Sequence, residues 1–468
     1  MRLAGNIGDT GPEGRKDADH TRNARPPGPP ETAIRAGRQR FVMGCAPAHR
    51  VSRAYRRDMR DLPRLPSSPG FWRSPLRGPW FTSVLGLVLL VGVTVLFVTG
   101  LVSYAAYNPG LSPVNDTTPD KGLLGFYLFA WPTGPVWLYR LTQGVHVTLG
   151  ITLIPVLLAK LWSVVPKLFA LPPARSLAHA LERVSLLLLV GGGLFEFTTG
   201  VLNVQLEYVF PGSFYPLHFY GAWVFFAAFV AHAVLKAPAA VRNVRRRGRR
   251  TGELVSPRPD LPTVSRRGAL WFVAGGSLLL FVTTAGQSIG GVLRRTALLA
   301  PHGGPDPGTG PNGFQINKTA AYAGITPADT HQDAWRLVVT GRTGTVRLTR
   351  AELLRLPLHS SALPIACVEG WSTADQWWRG VRLRDLAALV GYEDTPPDVF
   401  VESLQRHGAF RHTALRSNQA ADPRSLLALY VNGEDLSPDH GYPARVIVPA
   451  APGVMNTKWV ARLTFGDL

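Results

Sequence analysis

Five stretches of this chain are apolar almost without interruption, roughly Trp80–Tyr104, Val145–Val165, Val184–Val204, Phe214–Lys236 and Gly268–Gly290. At about 1.5 Å per helical residue, each is long enough to cross a hydrocarbon core of about 30 Å, so each predicts a transmembrane helix. Beyond residue 291 the pattern changes to short β-rich runs, Trp335–Thr340, Val346–Leu348, Val399–Leu404 and Ala444–Val448, separated by turn signals such as Asn432-Gly433. That pattern predicts an α+β domain. Residues 1–70 carry no run at helical or strand period long enough to bury a core, and read as disordered. The expected fold is therefore a membrane all-α helical bundle of five helices followed by an α+β domain. Its expected divisions are a disordered basic tail over 1–78, four membrane helices over 79–236, a basic loop over 237–267, a fifth helix over 268–290, a linker over 291–313 and the last domain over 314–468. The linker reading rests on five Gly and four Pro within 301–313.

Charge adds an orientation. The 468 residues are 46% hydrophobic and 17% charged with a formal charge of +20, too apolar for a disordered protein. The basicity is regional: residues 1–78 hold 16 basic and 7 acidic side chains, residues 237–267 hold 9 and 2, and the part after 291 holds 18 and 16. Loops of net +9, +2 and +7 alternate with loops of 0 and −1, which by the positive-inside rule puts the N-terminus in the cytoplasm and the last domain outside a bacterial-type cytoplasmic membrane. The basic residues follow membrane topology, so nucleic acid is not an expected partner, whereas membrane lipid is. The tail lacks the apolar core of a secretory signal, and Cys45 follows no lipoprotein-type apolar run. Only Cys45 and Cys367 are present, which excludes a disulfide scaffold, a Cys-rich zinc fold and a ferredoxin-type cluster.

Ionisable residues inside the bundle are the first candidates for chemistry. His218 and His232 stand fourteen residues apart on the fourth span, which places them on nearly one face about 21 Å apart. His146, opening the second span, falls level with His218 if the helices are antiparallel, and the two suit one outer b-type haem. Histidines at a headgroup interface are the bland alternative. An inner haem on His232 lacks a partner on the first span, and His179 is a poor substitute. In the third span, Gly191-Gly192-Gly193 permits close approach of a helix or a macrocycle, and Glu196 suits a proton or quinone path; plain helix packing explains the glycines equally. His146 with the His218/His232 spacing resembles the cytochrome b subunits of formate dehydrogenases and hydrogenases, which implies haem b, one or two, and exchange with the quinone pool. Ser265-Arg266-Arg267-Gly268-Ala269-Leu270, just before the fifth span, resembles a twin-arginine export signal; topology alone would also place two arginines there.

In the outer domain, Ile365-Ala366-Cys367-Val368-Glu369-Gly370-Trp371-Ser372 sets one cysteine between a strand-like run and a Trp/Gly turn. Such a thiolate suits a metal ligand or a nucleophile, and spacing does not choose between them. This stretch, and the region from about Asn312 to Leu468, resembles the molybdopterin domain of the sulfite oxidase family, nearest to the periplasmic methionine sulfoxide reductases. The resemblance implies Cys367 as the molybdenum ligand and Glu369 and Trp371 as pocket residues. Asp439-His440-Gly441-Tyr442-Pro443-Ala444-Arg445 resembles the family's phosphate-binding strand, which implies pterin contacts from His440 and Arg445. Asn456-Thr457-Lys458 resembles the turn that closes on the cofactor, and Asn312, Gln315, Ile316 and Ser403 fall at further pterin-contact positions. Arg379, Arg406 and Arg411 are candidates for an anion-binding arginine. Together these features imply a membrane-bound molybdopterin-dependent oxidoreductase that moves an oxygen atom to or from a small extracytoplasmic substrate. Its electrons would be exchanged through haem with the quinone pool or with a redox partner protein. Two other readings stay open at this level: a molybdenum enzyme on a haem-free anchor, and a metal-free membrane-anchored binding protein.

Overall fold

The computed structural model describes residues 65–67, 71–111, 129–169, 176–204, 209, 214–245, 256, 259–300, 307–406 and 411–468. Residues 64–468 form one compact unit. Most of the expected disordered tail, and Cys45, lie outside the described residues.

Five long helices come first: α1 Pro79–Ala105, α2 Leu138–Leu168, α3 Leu177–Val204, α4 Phe214–Arg245 and α5 Arg266–Val282. Pro79 stands at the start of α1, where its missing N–H costs nothing. Ser265 caps α5 by accepting from the Gly268 N–H, so the Arg266-Arg267 pair forms the first turn of that helix. Cations at a helix N-terminus gain nothing from the helix dipole, which leaves topology or export to account for them. α1 packs on α2 and α4, α3 on α4, and α5 on α2. All five are long and apolar enough to cross a membrane, and they present large apolar side chains outward, Phe272 at 85% and Trp271 at 77% exposure among them.

Two expected boundaries differ in the structure. Helix α4 runs through Pro238 to Arg245, so the basic segment from 237 begins as helix. Residues 71–78 are ordered: Arg77 sits between the rings of Trp72 and Trp162 at 4.7 and 4.1 Å, and Ser256 N–H and Asp260 N–H donate to Trp72 and Arg73 carbonyls. The fifth span runs from Arg266 to Ile289 as expected, but its regular helix ends at Val282. The chain then turns a corner through a short helix, α6 Gly286–Ile289, and a 3₁₀ turn, Gly291–Thr296. A Cβ on Gly286 would lie 1.8 Å from the Leu293 carbonyl oxygen, so only glycine permits this corner.

The last domain holds two five-stranded sheets. The first, ordered β2-β1-β10-β5-β6, joins β1 Leu337–Gly341, β2 Gly344–Leu348, β5 Val399–Ser403, β6 His412–Leu415 and β10 Val460–Phe465. Only β1 and β10 pair in parallel. The second, ordered β3-β4-β7-β8 with β9 on β7, joins β3 His359–Leu363, β4 Gln376–Arg382, β7 Leu426–Val431, β8 Glu434–Asp435 and β9 Arg445–Ile447. Inward residues of both sheets, such as Leu337, Val339, Val401, Leu427, Leu429, Val446 and Leu463, form one dry core, whose burial supplies the main stabilising term. Asn432 and Gly433 both take positive φ, 50° and 94°, which is what a two-residue hairpin between β7 and β8 requires.

Candidate molybdenum and haem sites

Cys367 lies just past β3, where the chain reverses sharply. Its N–H donates to Trp371 O at 2.8 Å, Gly370 N–H donates back to Cys367 O at 3.1 Å, and the Thr373 hydroxyl accepts from Ile365 N at 2.9 Å. Gly370 takes φ +90°, and a Cβ there would stand 2.7 Å from Val147 Cβ of α2, so glycine lets the turn lie directly on the bundle. The thiol is 1% exposed. Burial, and then the Glu369 carboxylate beside it, push its pKa well above that of an ordinary thiol, so a bound cation is needed to hold it as thiolate. Trp371 is buried with Cys367 in one cluster, and Glu369 buries its Oε2 without a hydrogen-bond partner.

Much of what holds this turn comes from the helical part and was not foreseen from sequence. Gln143 of α2 donates to the Val368 carbonyl. From the corner after α5, Gln287 O accepts from Ser372 N at 3.0 Å, Ser288 O accepts from the Ser372 hydroxyl at 3.0 Å, the Ser288 hydroxyl donates to Gly370 O, and buried Arg294 donates to Ser372 O. Asn108, just past α1, donates to Ala414 O and Gln419 Oε1, and Trp131 donates to Ala450 O. The legible signal was a run of polar residues, Gln287, Ser288 and Arg294, closing an otherwise apolar span.

A set of buried cations faces the same centre. Arg445 opens β9 and is 2% exposed; it donates to His440 O at 3.3 Å, while its Nε has no partner. Lys458 donates to the carbonyls of Asp439 and Lys318. The described hydrogen bonds and ion pairs give neither cation a carboxylate. Burial pulls Arg445 down to about 9, with Cys367 partly opposing it. Burial, together with Arg445 and Lys318, holds Lys458 well below the usual lysine range. His440, stacked on Phe314 at 3.8 Å and donating from Nε2 to Asn312 O at 2.9 Å, is lowered to about 3 by burial and by Arg445. Asn456 spends Oδ1 on Val448 N and buries Nδ2 without a partner. A dry site with surplus positive charge and unfilled donors calls for an anion rich in acceptors, and a phosphate fits it. The residues therefore suit a phosphate-bearing anionic cofactor beside a buried thiol, the donor set a molybdopterin calls for.

Other expected contact residues also brace the fold. Asn312 uses both ends of its side chain on Asp435 O and Ser437 N, which leaves its carbonyl as the group facing His440. Ser403 donates to Lys458 O, and the Thr457 hydroxyl meets that of Thr413 at 2.7 Å; both brace the closing turn. Gln315 is buried and Ile316 half-buried before the domain core. Arg379 is exposed on β4, and Arg406 pairs with Asp329 on the surface, with Arg411 donating to Arg406 O. Among the described residues, Arg294 donates to the Cys367 turn at Ser372 O, and Arg445 lies close enough to Cys367 to interact with it electrostatically.

Inside the bundle, α2 and α4 bring His146 and His218 to one cavity between the helices. Their ring centres lie 6.2 Å apart at 83°. Two imidazoles that each give a nitrogen to one metal at about 2 Å must stand roughly 6 Å apart. Both Nδ1 atoms are already engaged, His146 with Leu96 O at 3.0 Å and Thr99 Oγ1 at 3.3 Å, His218 with Glu196 Oε2 at 3.0 Å and Thr199 Oγ1 at 3.2 Å. Nε2 is the nitrogen left on each ring, and such outer partners orient metal-binding histidines. A Cβ on Gly100 would stand 3.1 Å from the His146 ring and one on Gly221 only 2.2 Å from Glu196 Oε1, so these glycines make room for the pair and its carboxylate. Glu196 is thereby placed as the partner of His218. Gly192 and Gly193 receive Phe225, which is helix packing. His232 does not line this cavity; the charged groups acting on it are Lys160, Lys236, Lys167 and Glu182.

Residues 323–467 match the oxidoreductase molybdopterin binding domain family. Over 145 residues the chain is 30% identical to the uncharacterized oxidoreductase YuiH of Bacillus subtilis (strain 168), covering 31% of this chain and 71% of that protein. It is 30% identical over 158 residues to the mitochondrial sulfite oxidase of Rattus norvegicus, covering 28% of this chain and 29% of that one. Among solved structures, the sulfane dehydrogenase SoxCD from Paracoccus pantotrophus aligns at 25% identity and a TM-score of 0.27, over 29% of this chain and 39% of that chain.

Proposed function

We propose, since this chain belongs to the molybdopterin-binding oxidoreductases of the sulfite oxidase family, that its helices cross a membrane, hold one haem b and pass quinol electrons to a centre on Cys367 that takes oxygen from a small extracytoplasmic substrate. Sulfoxides are the substrate class that the methionine sulfoxide reductase likeness suggests. The bound molybdopterin would supply two-electron oxygen-atom transfer, and the haem one-electron exchange. The protein's share is positional. Cys367 would give a soft thiolate, Arg445, Lys458 and His440 would hold the phosphate, and His146 and His218 would hold the haem.

The observation that carries this reading is the seam between the two halves. Gln143, three residues before His146, donates to the carbonyl of Val368, the residue after Cys367, and Val147 touches Gly370. A mere anchor has no need to press its histidine-bearing helix against the cysteine turn. Outward-facing Trp271, Phe272 and Leu279 support insertion in lipid, because apolar faces of this extent are not left in water.

Coupling between the halves tests the reading. In detergent-purified full-length protein, haem reduced by a soluble quinol should be reoxidised by added methionine sulfoxide. The reaction should stop in Cys367→Ala, although that variant keeps its haem spectrum. Equal reoxidation in both proteins would contradict the assignment.

A further inference from the structure

Three tyrosines from three different helices meet beside Cys367. Tyr107 lies two residues past the end of α1, Tyr139 in the first turn of α2 and Tyr215 in the first turn of α4. The Tyr107 and Tyr139 hydroxyls are 3.0 Å apart, and the Tyr107 and Tyr215 rings, 5.6 Å apart, are joined by a side-chain hydrogen bond. Tyr107 and Tyr139 share a buried cluster with Cys367, Val368 and Trp371, and Tyr215 packs on its edge. On the other side, Tyr107 and Tyr215 line the cavity that holds His146, Glu196 and His218. The phenols therefore run in order from that cavity to Cys367: Tyr215, Tyr107, Tyr139.

Packing does not explain why these three rings are phenols. Phe214 and Phe219 serve as plain ring neighbours in the same layer, and a phenylalanine fills such space without the cost of burying a hydroxyl. A chain of hydrogen-bonded hydroxyls does something a row of phenylalanines cannot, since each oxygen can take up one proton while its own passes on.

We infer that Tyr215, Tyr107 and Tyr139 form a proton relay between the helix cavity and the Cys367 centre. The inference rests on the proposed oxygen-transfer reaction. Reducing an oxidised substrate R–O to R takes up two electrons and two protons and releases one water. The electrons come from a quinol-class donor by way of the haem. The protons must reach a centre whose cysteine is 1% exposed. The tyrosines stay in their neutral, reduced form throughout and only exchange hydroxyl protons. Tyr139, buried in one cluster with Cys367, Val368 and Trp371, is the last phenol of the row.

The test is freeze-quench electron paramagnetic resonance of the full-length, molybdenum-loaded protein in detergent, following the Mo(V) signal after mixing with dithionite in H2O and in D2O. Wild type should show a solvent isotope effect. Tyr107→Phe should slow the signal at least about tenfold, the scale of a lost proton-transfer group, with molybdenum content unchanged. Should Tyr107→Phe lose molybdenum, Tyr215→Phe decides, because it cuts the relay at the end away from Cys367 and should slow the signal equally. Wild-type rates and isotope effects in Tyr107→Phe, or in Tyr215→Phe where that variant decides, overturn the relay and leave the enzyme reading standing. Wild-type protein that is folded but devoid of molybdenum overturns that reading and the relay with it.

Discussion

Cys367→Ser is expected to bring molybdenum content well below the wild-type level and to reduce oxygen transfer by more than about a hundredfold. Sulfur is a soft, polarisable donor, whereas a serine hydroxyl resists deprotonation and is a poor ligand at this position. The site magnifies the difference. The side chain is 1% exposed beside the Glu369 carboxylate, so a serine oxygen that is not bound to metal must be satisfied in a dry pocket. The fold should survive, because the turn is held by backbone and neighbouring groups, Trp371 O, Thr373 Oγ1, Gln143 and Arg294 among them. Metal analysis together with a thermal unfolding midpoint separates these outcomes. Molybdenum at the wild-type level in Cys367→Ser would contradict the ligand assignment.

His218→Ala should abolish the b-type haem spectrum, and His232→Ala should leave it intact. The 6.2 Å between the His146 and His218 ring centres fixes this contrast. A haem held by His146 and His218 would lose one of its two imidazole ligands in this variant, and Glu196 and Thr199, which engage His218 at Nδ1, are its hydrogen-bond partners rather than a replacement ligand. Glu196→Gln is the milder change. It keeps a hydrogen-bond partner for Nδ1 but removes the negative charge that makes the imidazole a stronger donor, so the haem should remain with a raised reduction potential. Optical spectra of the three variants under dithionite, with a redox titration of Glu196→Gln, check all of this. A spectrum that persists in His218→Ala, or disappears in His232→Ala, would move the haem to another site.

Much of this architecture is written in local patterns. Uninterrupted apolar runs marked the five helices, and Asn432-Gly433 marked a hairpin, because each depends on residues close together in sequence. The Cys367 motif and the Arg445 strand were legible through family resemblance, and the structure gives their physical reason, a buried cation set facing a buried thiol. The fourteen-residue spacing of His218 and His232 was the weaker guide: it places both on one face of α4 but says nothing of what faces them. The pairing of His146 with His218 depended on which helices pack together. What the sequence did not disclose lies between the halves. Gln143, Gln287, Ser288 and Arg294 read as polar residues at the ends of apolar spans, and their role emerges only when α2 and the corner after α5 are set against the Cys367 turn. The same holds for Tyr107, Tyr139 and Tyr215, separated along the chain and joined by tertiary packing alone. Asn312 and Ser403, expected from the resemblance to contact the cofactor, also use their side chains to brace neighbouring turns.

The most direct test of the fused electron-transfer enzyme is the metal content of the full-length protein, purified in detergent from a host that makes both molybdopterin and haem, and measured by mass spectrometry. Arg445, Lys458 and Cys367 on one side of the seam and His146 with His218 on the other predict about one molybdenum and about one iron per chain. Molybdenum without iron would reduce the helices to an anchor, and folded protein with neither metal would contradict the account as a whole.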